Sequence, residues 1–323
     1  MSTLSILEGW EGWEGWEGWE GWEGWEGWRA AAPGGGSAGA AWLARQRSRD
    51  ATVWHGPAID IAAWPRKRPD DPLGCLSAYA RRQVVVLDML QGLRVSLASN
   101  SGKTGKGPAV TVTGRASLPA YTIPAVQVAA LIDELPTVEG FNRQRPERAP
   151  EIFAQRSFNP AFWAGILPLS PQRTPFTLEL MAAAVMFSSF AVQQAKVLFN
   201  LPRPFQLSPR VQPMIDTPGF STYPSGHATQ AALVSALLET LVLPGLKAEW
   251  QVPVQTMLQC LADRVAENRE VAGLHFPTDS REGKALGRAL LALLPRPPAP
   301  GKPAKSDPPF TWLWQSAQQE WVA

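Results

Sequence analysis

Hydrophobic residues follow a helical period in the last long block of the chain, residues 176–295. Apolar side chains recur there every three to four positions, as in helices that bury one face. Pro202, Pro224, Gly273 and Pro277 interrupt the pattern. These interruptions predict four helices, at about 177–200, 226–243, 253–272 and 280–294.

The hydrophobic pattern is different before residue 176. Residues 84–99 and 109–114 are rich in Val and Leu, and they favour two paired strands around a polar turn. Residues 136–175 carry many Pro and Arg and favour an irregular segment that wraps around the rest of the protein. The pattern therefore predicts an all-α helical bundle with a small β-hairpin in the N-terminal part.

The first residues follow no structural period. Residues 8–28 are seven copies of Glu-Gly-Trp, and Gly at every third place opposes a helix. We divide the chain into a low-complexity tail and linker at 1–50, an N-terminal accessory part at 51–175, the helical bundle at 176–295 and a Pro-rich tail at 296–323. Its aromatic end could fold back as a cap and contains Trp312, Trp314 and Trp321.

Composition and charge narrow the classes of partner. Apolar residues make up 45% of the chain and charged residues 18%, which is typical of a globular protein. All 30 basic residues lie from Arg29 onward, whereas seven of the 28 acidic residues precede it. The basic body favours small anionic partners, and no nucleic-acid partner is expected. Cys75 and Cys260 show neither metal-ligand spacing nor a disulfide framework.

The expected location is the cytoplasm. The N-terminus lacks the basic and apolar regions of a signal peptide. The longest uncharged apolar stretch, Leu180–Ala195, lies between Glu179 and Lys196 and falls short of the roughly 20 residues of a membrane span. It is interpreted as a core helix, so no transmembrane segment is expected. The oligomeric state is left open.

The start of the second predicted helix favours an anion site. Ser225 is a favoured N-cap, and Gly226 lets a ligand approach the backbone. Free N–H groups and the helix dipole attract anions at this position. His227 lies in the first turn, on a stripe that continues through apolar residues.

Two other segments place basic side chains on buried stripes. Arg269 continues the apolar stripe of the third helix, where a guanidinium is costly without an anion. His275 follows in a short loop, and Asp279 is spaced to accept its ring N–H. Lys196 extends the first helix's stripe, and Arg203 follows the break at its end.

Each residue also has a purely structural interpretation. Ser225 could be only a cap, and Asp279 with Glu282 resembles a capping pair. Arg269 could extend its charged end to solvent, and Lys196 could be solvated. The combination favours the anion site, because two of the three His residues fall where that site needs them. His55 has no such context and is interpreted as structural or surface-exposed.

The three segments together resemble a known signature. Lys196 to Arg203-Pro204, then Pro224-Ser225-Gly226-His227, then Arg269 to His275 to Asp279 are similar in order and spacing to the tripartite signature of the type 2 phosphatidic acid phosphatase and vanadium haloperoxidase superfamily. One departure is Asn268, where the third motif usually has Ser. Residues 1–150 show no such resemblance.

The resemblance implies a bundle of the acid phosphatase and vanadium haloperoxidase type, and a role for each residue. Lys196, Arg203 and Arg269 would hold the oxygens of phosphate or vanadate, with hydrogen bonds from Ser225 and the Gly226 N–H. His275 would attack phosphorus, Asp279 would orient it, and His227 would be the general acid.

Three functions are compatible with this resemblance. The first is a phosphate-ester hydrolase that works through a phosphohistidine and needs no cofactor. The second is a vanadate-dependent haloperoxidase that uses halide and hydrogen peroxide, with His275 as the vanadium ligand. The third is a non-catalytic anion-binding protein. The motif around His275 resembles the soluble bacterial branch of the superfamily.

Overall fold

The computed structural model describes residues 71–98, 109–115, 120–294, 301–304 and 306–321. The Glu-Gly-Trp repeats, the linker and His55 lie outside these residues. The described elements are, in chain order, α1 (Ala78–Leu90), β1 (Arg94–Leu97), β2 (Val110–Thr113), β3 (Tyr121–Ile123), α2 (Val128–Gly140), α3 (Arg145–Ala154), α4 (Ala161–Ala164), α5 (Pro175–Phe199), α6 (Pro204–Leu207), α7 (Gly226–Val242), α8 (Ala248–Val271), α9 (Pro277–Leu293) and α10 (Pro309–Gln319).

The four predicted helices of the bundle are present as α5, α7, α8 and α9. Ser225 caps α7 by accepting a hydrogen bond from the Ala228 N–H, and α5 ends at Asn200 in the left-handed conformation. Helix α8 begins five residues before its predicted start at 253. Pro253 therefore lies inside the helix and not at its first turn, with the loss of one backbone hydrogen bond.

Helix α7 is the central element of the bundle and packs on α5, α8 and α9. Two glycines of α9 allow that helix to approach α7 closely. A Cβ on Gly283 would lie 2.6 Å from the Ser225 carbonyl oxygen, and one on Gly287 would lie 2.5 Å from that of Thr229. Any side chain there would push the helices apart, so these glycines keep the start of α9 beside the start of α7.

The N-terminal part differs from expectation in one element. Residues 84–90, expected in a strand, belong to helix α1. Ser77 caps this helix by accepting from the Ala80 N–H at 3.2 Å, and the Arg81 guanidinium fixes it to α5 by two hydrogen bonds to the Glu179 carboxylate, at 2.8 and 2.6 Å. Packing against α5 outweighs the strand preference of the valines in α1.

A three-stranded antiparallel sheet follows α1, in the order β1, β2, β3. Val95 of β1 lies opposite Val112 of β2, which lies opposite Tyr121 of β3. The predicted hairpin is confirmed in β1 and β2, and β3 was not predicted. The fold class is likewise confirmed, since the described residues are mostly helical with one small sheet.

The segment 136–175 was expected to be irregular, and this is wrong in part. It contains the end of α2 and the helices α3 and α4. Ion pairs attach α3 to α8, with Arg148 against Glu267 at 2.8 Å and Arg264 against Glu151 at 2.7 Å. Pro146 lies in the first turn of α3, where its missing N–H costs little. Pro136 and Pro150 lie inside α2 and α3, so these helices form despite the loss of a backbone hydrogen bond.

Two central segments are long and apolar enough to cross a membrane, Pro175–Leu207 and Gly226–Gly245. Glu179 and Lys196, taken as the ends of the apolar stretch, both lie buried inside α5, and the helix continues past them. The prediction of a cytoplasmic location is therefore wrong, and the expectation of no transmembrane segment is not confirmed. The helices point to a membrane protein.

The aromatic C-terminal segment forms α10, which packs on α1 and α5. Trp312 and Trp314 are buried in the main hydrophobic core. Just after this helix, the Glu320 carboxylate accepts hydrogen bonds from the N–H groups of Phe176 (2.7 Å) and Thr177 (2.8 Å). Glu320 thus caps the N-terminus of α5 from a distant part of the chain.

Trp314→Ala is expected to lower the free energy of unfolding by about 3–5 kcal/mol, because the lost indole leaves a cavity in the core. Trp314 has no exposed surface, whereas Trp250 is 56% exposed. Trp250→Ala is therefore the matched control, with an expected change of about 0.5 kcal/mol or less. Denaturant unfolding of the purified protein measures both, and equally small effects would contradict the buried position of α10.

Candidate anion-binding site

His275 lies in the loop between α8 and α9, and Asp279 in the first turn of α9 holds it. The His275 Nδ1 lies 3.1 Å from the Asp279 Oδ2, which also accepts from the Phe276 N–H at 2.9 Å and from the Thr222 hydroxyl. A carboxylate can only accept, so Nδ1 of His275 carries the proton. The other ring nitrogen, Nε2, then has a free lone pair.

Three basic side chains are buried beside this pair. Lys196 donates to the carbonyl oxygens of Ser221 (2.6 Å) and Thr222 (2.8 Å). The Arg203 guanidinium donates to two further carbonyl oxygens, at 3.0 and 3.1 Å. Arg269 has no exposed surface and donates through Nη2 to the Ile152 carbonyl at 3.2 Å.

The Arg269 guanidinium has unused donors. Its Nε and Nη1 have no hydrogen-bond partner among the described residues. None of Lys196, Arg203 and Arg269 forms a salt bridge with a carboxylate of any residue that the structure describes. Buried basic groups without a counter-charge are unfavourable, so the cluster is suited to an anion that supplies one.

Burial and the basic neighbours set the protonation states of the pair. Burial lowers the pKa of His275 well below its usual value, and nearby Lys196, Arg203 and Arg269 lower it further. His275 is therefore neutral at pH 7. Burial raises the pKa of the Asp279 carboxyl to about 6, against the hydrogen bonds from Thr222 and Phe276. Asp279 is therefore mostly ionised at pH 7.

The start of α7 lies against the same cluster. The Ser225 N–H donates to the Asp279 carbonyl at 3.0 Å. A Cβ on Gly226 would approach only Val192, at 3.9 Å, so the protein leaves space beside this residue. His227 Nε2 lies 3.2 Å from the Arg156 carbonyl, and its ring is within electrostatic range of Arg269 and His275.

The structure thus brings all eight predicted site residues into one cluster at the adjoining ends of α5, α7, α8 and α9. These residues are Lys196, Arg203, Ser225, Gly226, His227, Arg269, His275 and Asp279. Ser225 is also the helix cap that its structural interpretation required. The roles of these residues remain predictions.

The part of the chain that carries these residues also matches a family model. Residues 177–298 match the model described as PAP2 superfamily. This helical part of the chain is therefore similar to the PAP2 superfamily. Comparison with curated proteins gives no match.

Among solved structures, the PAP2 core is similar to a PAP2-type phosphatidylglycerolphosphate phosphatase from Bacillus subtilis, described as transmembrane. The two share 20% identity, and the match covers 51% of this chain and 74% of that one with a TM-score of 0.33.

Two residues of the PAP2 site were not anticipated from the sequence. The Thr222 hydroxyl donates to Asp279 and lies 3.2 Å from His275 Nδ1, so it helps to hold the pair. The ring of Phe220 lies 5.3 Å from the Lys196 ammonium and 5.4 Å from the Arg203 guanidinium, as in cation–π contacts. Both residues lie in a loop without hydrophobic periodicity, which gave no signal for their positions.

A cleft leads toward the His227 side of the PAP2 core. A cavity of about 20 Å³ is lined by His227 and Gln155, among others. Ser157, Phe158 and Asn159 line both this cavity and a wider, mostly apolar cleft of about 530 Å³. The segment after α3 therefore forms the wall between the anion cluster and the surface.

Proposed function

We propose that the protein is a phosphate-ester hydrolase in which His275 attacks phosphorus and forms a phosphohistidine. The observation that carries this proposal is a neutral, buried His275 whose Nδ1 is held by Asp279 among three buried basic side chains. The match of residues 177–298 to the PAP2 superfamily model supports the reaction class.

The basic cluster would bind the phosphoryl group. Lys196, Arg203 and the two unused donors of Arg269 would hold its non-bridging oxygens, with the Gly226 N–H and the Ser225 hydroxyl beside them. In the transition state these three oxygens lie in one plane and the negative charge is spread over them. Donors already fixed in a buried site stabilise that charge without reorganising.

The chemistry would run in two displacements. The His275 Nε2 lone pair forms a bond to phosphorus, and the bond from phosphorus to the ester oxygen breaks. His227 gives a proton to that oxygen, so the alcohol leaves neutral. Water then attacks the phosphohistidine while His227 takes a proton from it. The products are inorganic phosphate and the free His275.

His227 can transfer this proton through one ring nitrogen. Its Nε2 faces a carbonyl oxygen, which can only accept, and therefore keeps its hydrogen. Nδ1 would carry the transferred proton, so the ring is a cation before the alcohol leaves and neutral until the attacking water returns a proton to it. The cavity and cleft on this side would receive the alcohol.

The same donors fit vanadate, because Arg269 offers two free N–H groups to any tetrahedral or trigonal oxyanion. Lys196, Arg203 and Arg269 would hold the oxygens of vanadate. Bound vanadate would catalyse the oxidation of halide by hydrogen peroxide. For the hydrolase, vanadate is expected to act as a competitive inhibitor.

The deciding experiment uses the purified protein in detergent with p-nitrophenyl phosphate, run beside bromide oxidation with vanadate and peroxide. Release of phosphate, blocked by vanadate, supports the hydrolase. Trapping of acid-labile, base-stable phosphate on the protein would support phosphohistidine. Bromide oxidation without any ester hydrolysis would replace the proposal by the haloperoxidase.

The kcat/KM of the hydrolase is expected to fall as pH decreases through about 6, because protonated Asp279 no longer accepts from His275. His275 itself is not expected to titrate in this window, since its pKa is well below its usual value. Thr222→Val removes a hydrogen bond that favours the carboxylate, so the acid limb should move to higher pH. A limb unchanged in Thr222→Val would exclude Asp279 as its origin.

The raised pKa of Asp279 affects the stability of the protein in the direction opposite to its effect on activity. Asp279 binds its proton more tightly in the folded than in the unfolded protein, because burial raises its pKa above the usual 3.8. The folded state of the ligand-free protein is therefore expected to lose stability as pH rises from about 4 to about 6. Asp279→Asn should not show this loss.

A further inference from the structure

A chain of hydrogen bonds runs from the helix that carries Arg269 to the cavity beside His227. Its middle member is Asn268, which precedes Arg269 and has no exposed surface. Asn268 is the departure from the signature, which usually has Ser at this position. An amide offers donors and an acceptor on opposite sides, whereas a hydroxyl has a single donor.

Neighbouring charges fix the orientation of the Asn268 amide. The Arg148 guanidinium has donors only, and its Nη1 donates to the Asn268 Oδ1 at 3.0 Å. The Asn268 Nδ2 therefore faces the other way. There it donates to the Glu151 Oε2 at 2.9 Å and to the Gln155 Oε1 at 2.9 Å.

The Asn268 amide in turn fixes that of Gln155. Because Nδ2 of Asn268 can only donate, Gln155 must present Oε1 to it, and Nε2 takes the opposite position. Gln155 is 3% exposed, and its Nε2 has no hydrogen-bond partner among the described residues. A buried donor without an acceptor is unfavourable, so this N–H group is suited to a ligand.

The space next to Gln155 has the size of such an acceptor. Gln155 and His227 both line the cavity of about 20 Å³, which is close to the room that one water oxygen needs. The cavity adjoins the wider cleft through Ser157, Phe158 and Asn159. An alcohol leaving from the His227 side would therefore pass Gln155 on its way to the cleft.

We propose that Gln155 is a substrate-binding residue whose Nε2 donates to an oxygen of the leaving alcohol, beside His227. The substrate class is thus a phosphate ester whose alcohol carries an ether, hydroxyl or carbonyl oxygen close to the ester bond. Asn268 is the positioning residue that keeps the donor of Gln155, and not its acceptor, toward the ligand. This inference rests on the proposed hydrolase function.

The test compares two esters of the same chain length, 2-methoxyethyl phosphate and butyl phosphate, which differ by one ether oxygen. Wild-type kcat/KM is expected to be about tenfold higher for 2-methoxyethyl phosphate, the effect of one hydrogen bond. Gln155→Met keeps the side-chain length without the amide and should bring the ratio to about one. A merely structural role of Gln155 would lower both rates and leave the ratio unchanged.

Asn268→Ser tests the positioning role. The Ser hydroxyl cannot form hydrogen bonds to Arg148, Glu151 and Gln155 together, so the Gln155 amide is free to flip. The ratio of kcat/KM for the two esters should then fall between the ratios of the wild type and Gln155→Met. Gln259→Met is the matched control, because Gln259 is an exposed residue of the same helix, and it should keep the full wild-type ratio.

The outcomes separate this inference from the function beneath it. Hydrolysis of neither ester would overturn both. Hydrolysis of both esters at equal rates by the wild type would overturn the role of Gln155 and leave the hydrolase standing. A tenfold ratio that persists in Gln155→Met would also overturn that role, and one that persists in Asn268→Ser would overturn the role of Asn268.

Discussion

His275→Ala is expected to reduce phosphate-ester turnover to the background rate, because no other side chain of the site can replace its Nε2 as the nucleophile. The variant should still bind the ester through Arg269, Lys196 and Arg203. Inorganic phosphate should therefore still compete with the ester for binding. Release of phosphate, measured at saturating ester concentration, gives the rate. Near-normal turnover by His275→Ala would show that the nucleophile is a different group.

His227→Ala supplies the graded comparison. Loss of a general acid costs about 10²–10⁴ in rate, and the loss is smallest when the alcohol is a good leaving group. The variant is therefore expected to retain far more activity on p-nitrophenyl phosphate than on an alkyl phosphate. Equal losses on both esters would contradict proton donation by His227.

Added imidazole should restore part of the His275→Ala activity, since it can take the place of the missing ring.

Arg269→Met is expected to weaken inhibition by vanadate roughly a hundredfold, because two charge-assisted hydrogen bonds of about 1.5 kcal/mol each are lost. It should also lower kcat/KM by at least that factor. The ligand-free variant is expected to be at least as stable as the wild type, since Arg269 is a buried basic group without a carboxylate partner. Binding and stability would thus change in opposite directions.

Thermal unfolding with and without inorganic phosphate tests both halves of this prediction. The wild type should gain stability with phosphate and Arg269→Met should gain little. Arg288→Met, which removes the same charge from an exposed position on α9, is the control and should behave as the wild type. An Arg269→Met protein that unfolds at much lower temperature without ligand would show that Arg269 has a structural partner.

Much of the bundle could be predicted because its signals are local. The hydrophobic period and the breaks at Pro202, Pro224 and Gly273 locate the helices within a few residues. The site residues could be grouped because basic side chains at the ends of apolar stripes need a common anion. Grouping Arg203 and His275, which lie outside the predicted helices, also used the resemblance of the three segments to a known signature.

The features that were missed depend on contacts between distant segments. Residues 84–90 form a helix because Arg81 finds Glu179 almost 100 positions later. Thr222 and Gln155 belong to loops, and their positions are set by Asp279 and Asn268. The apolar helix α5 looked too short for a membrane because Glu179 and Lys196 were taken as its ends. Burial with partners allows both charges to lie inside the helix.

The cap on α5 has a consequence for the newly made chain. Glu320 follows the N–H group of Phe176 by 144 residues, which is roughly 7 to 30 s of synthesis at common elongation rates. Throughout that time the Phe176 and Thr177 N–H groups at the start of α5 lack the carboxylate that caps them in the folded protein. A premature stop before Glu320 would make this condition permanent, and the shortened chain should be a preferred substrate for quality-control proteases.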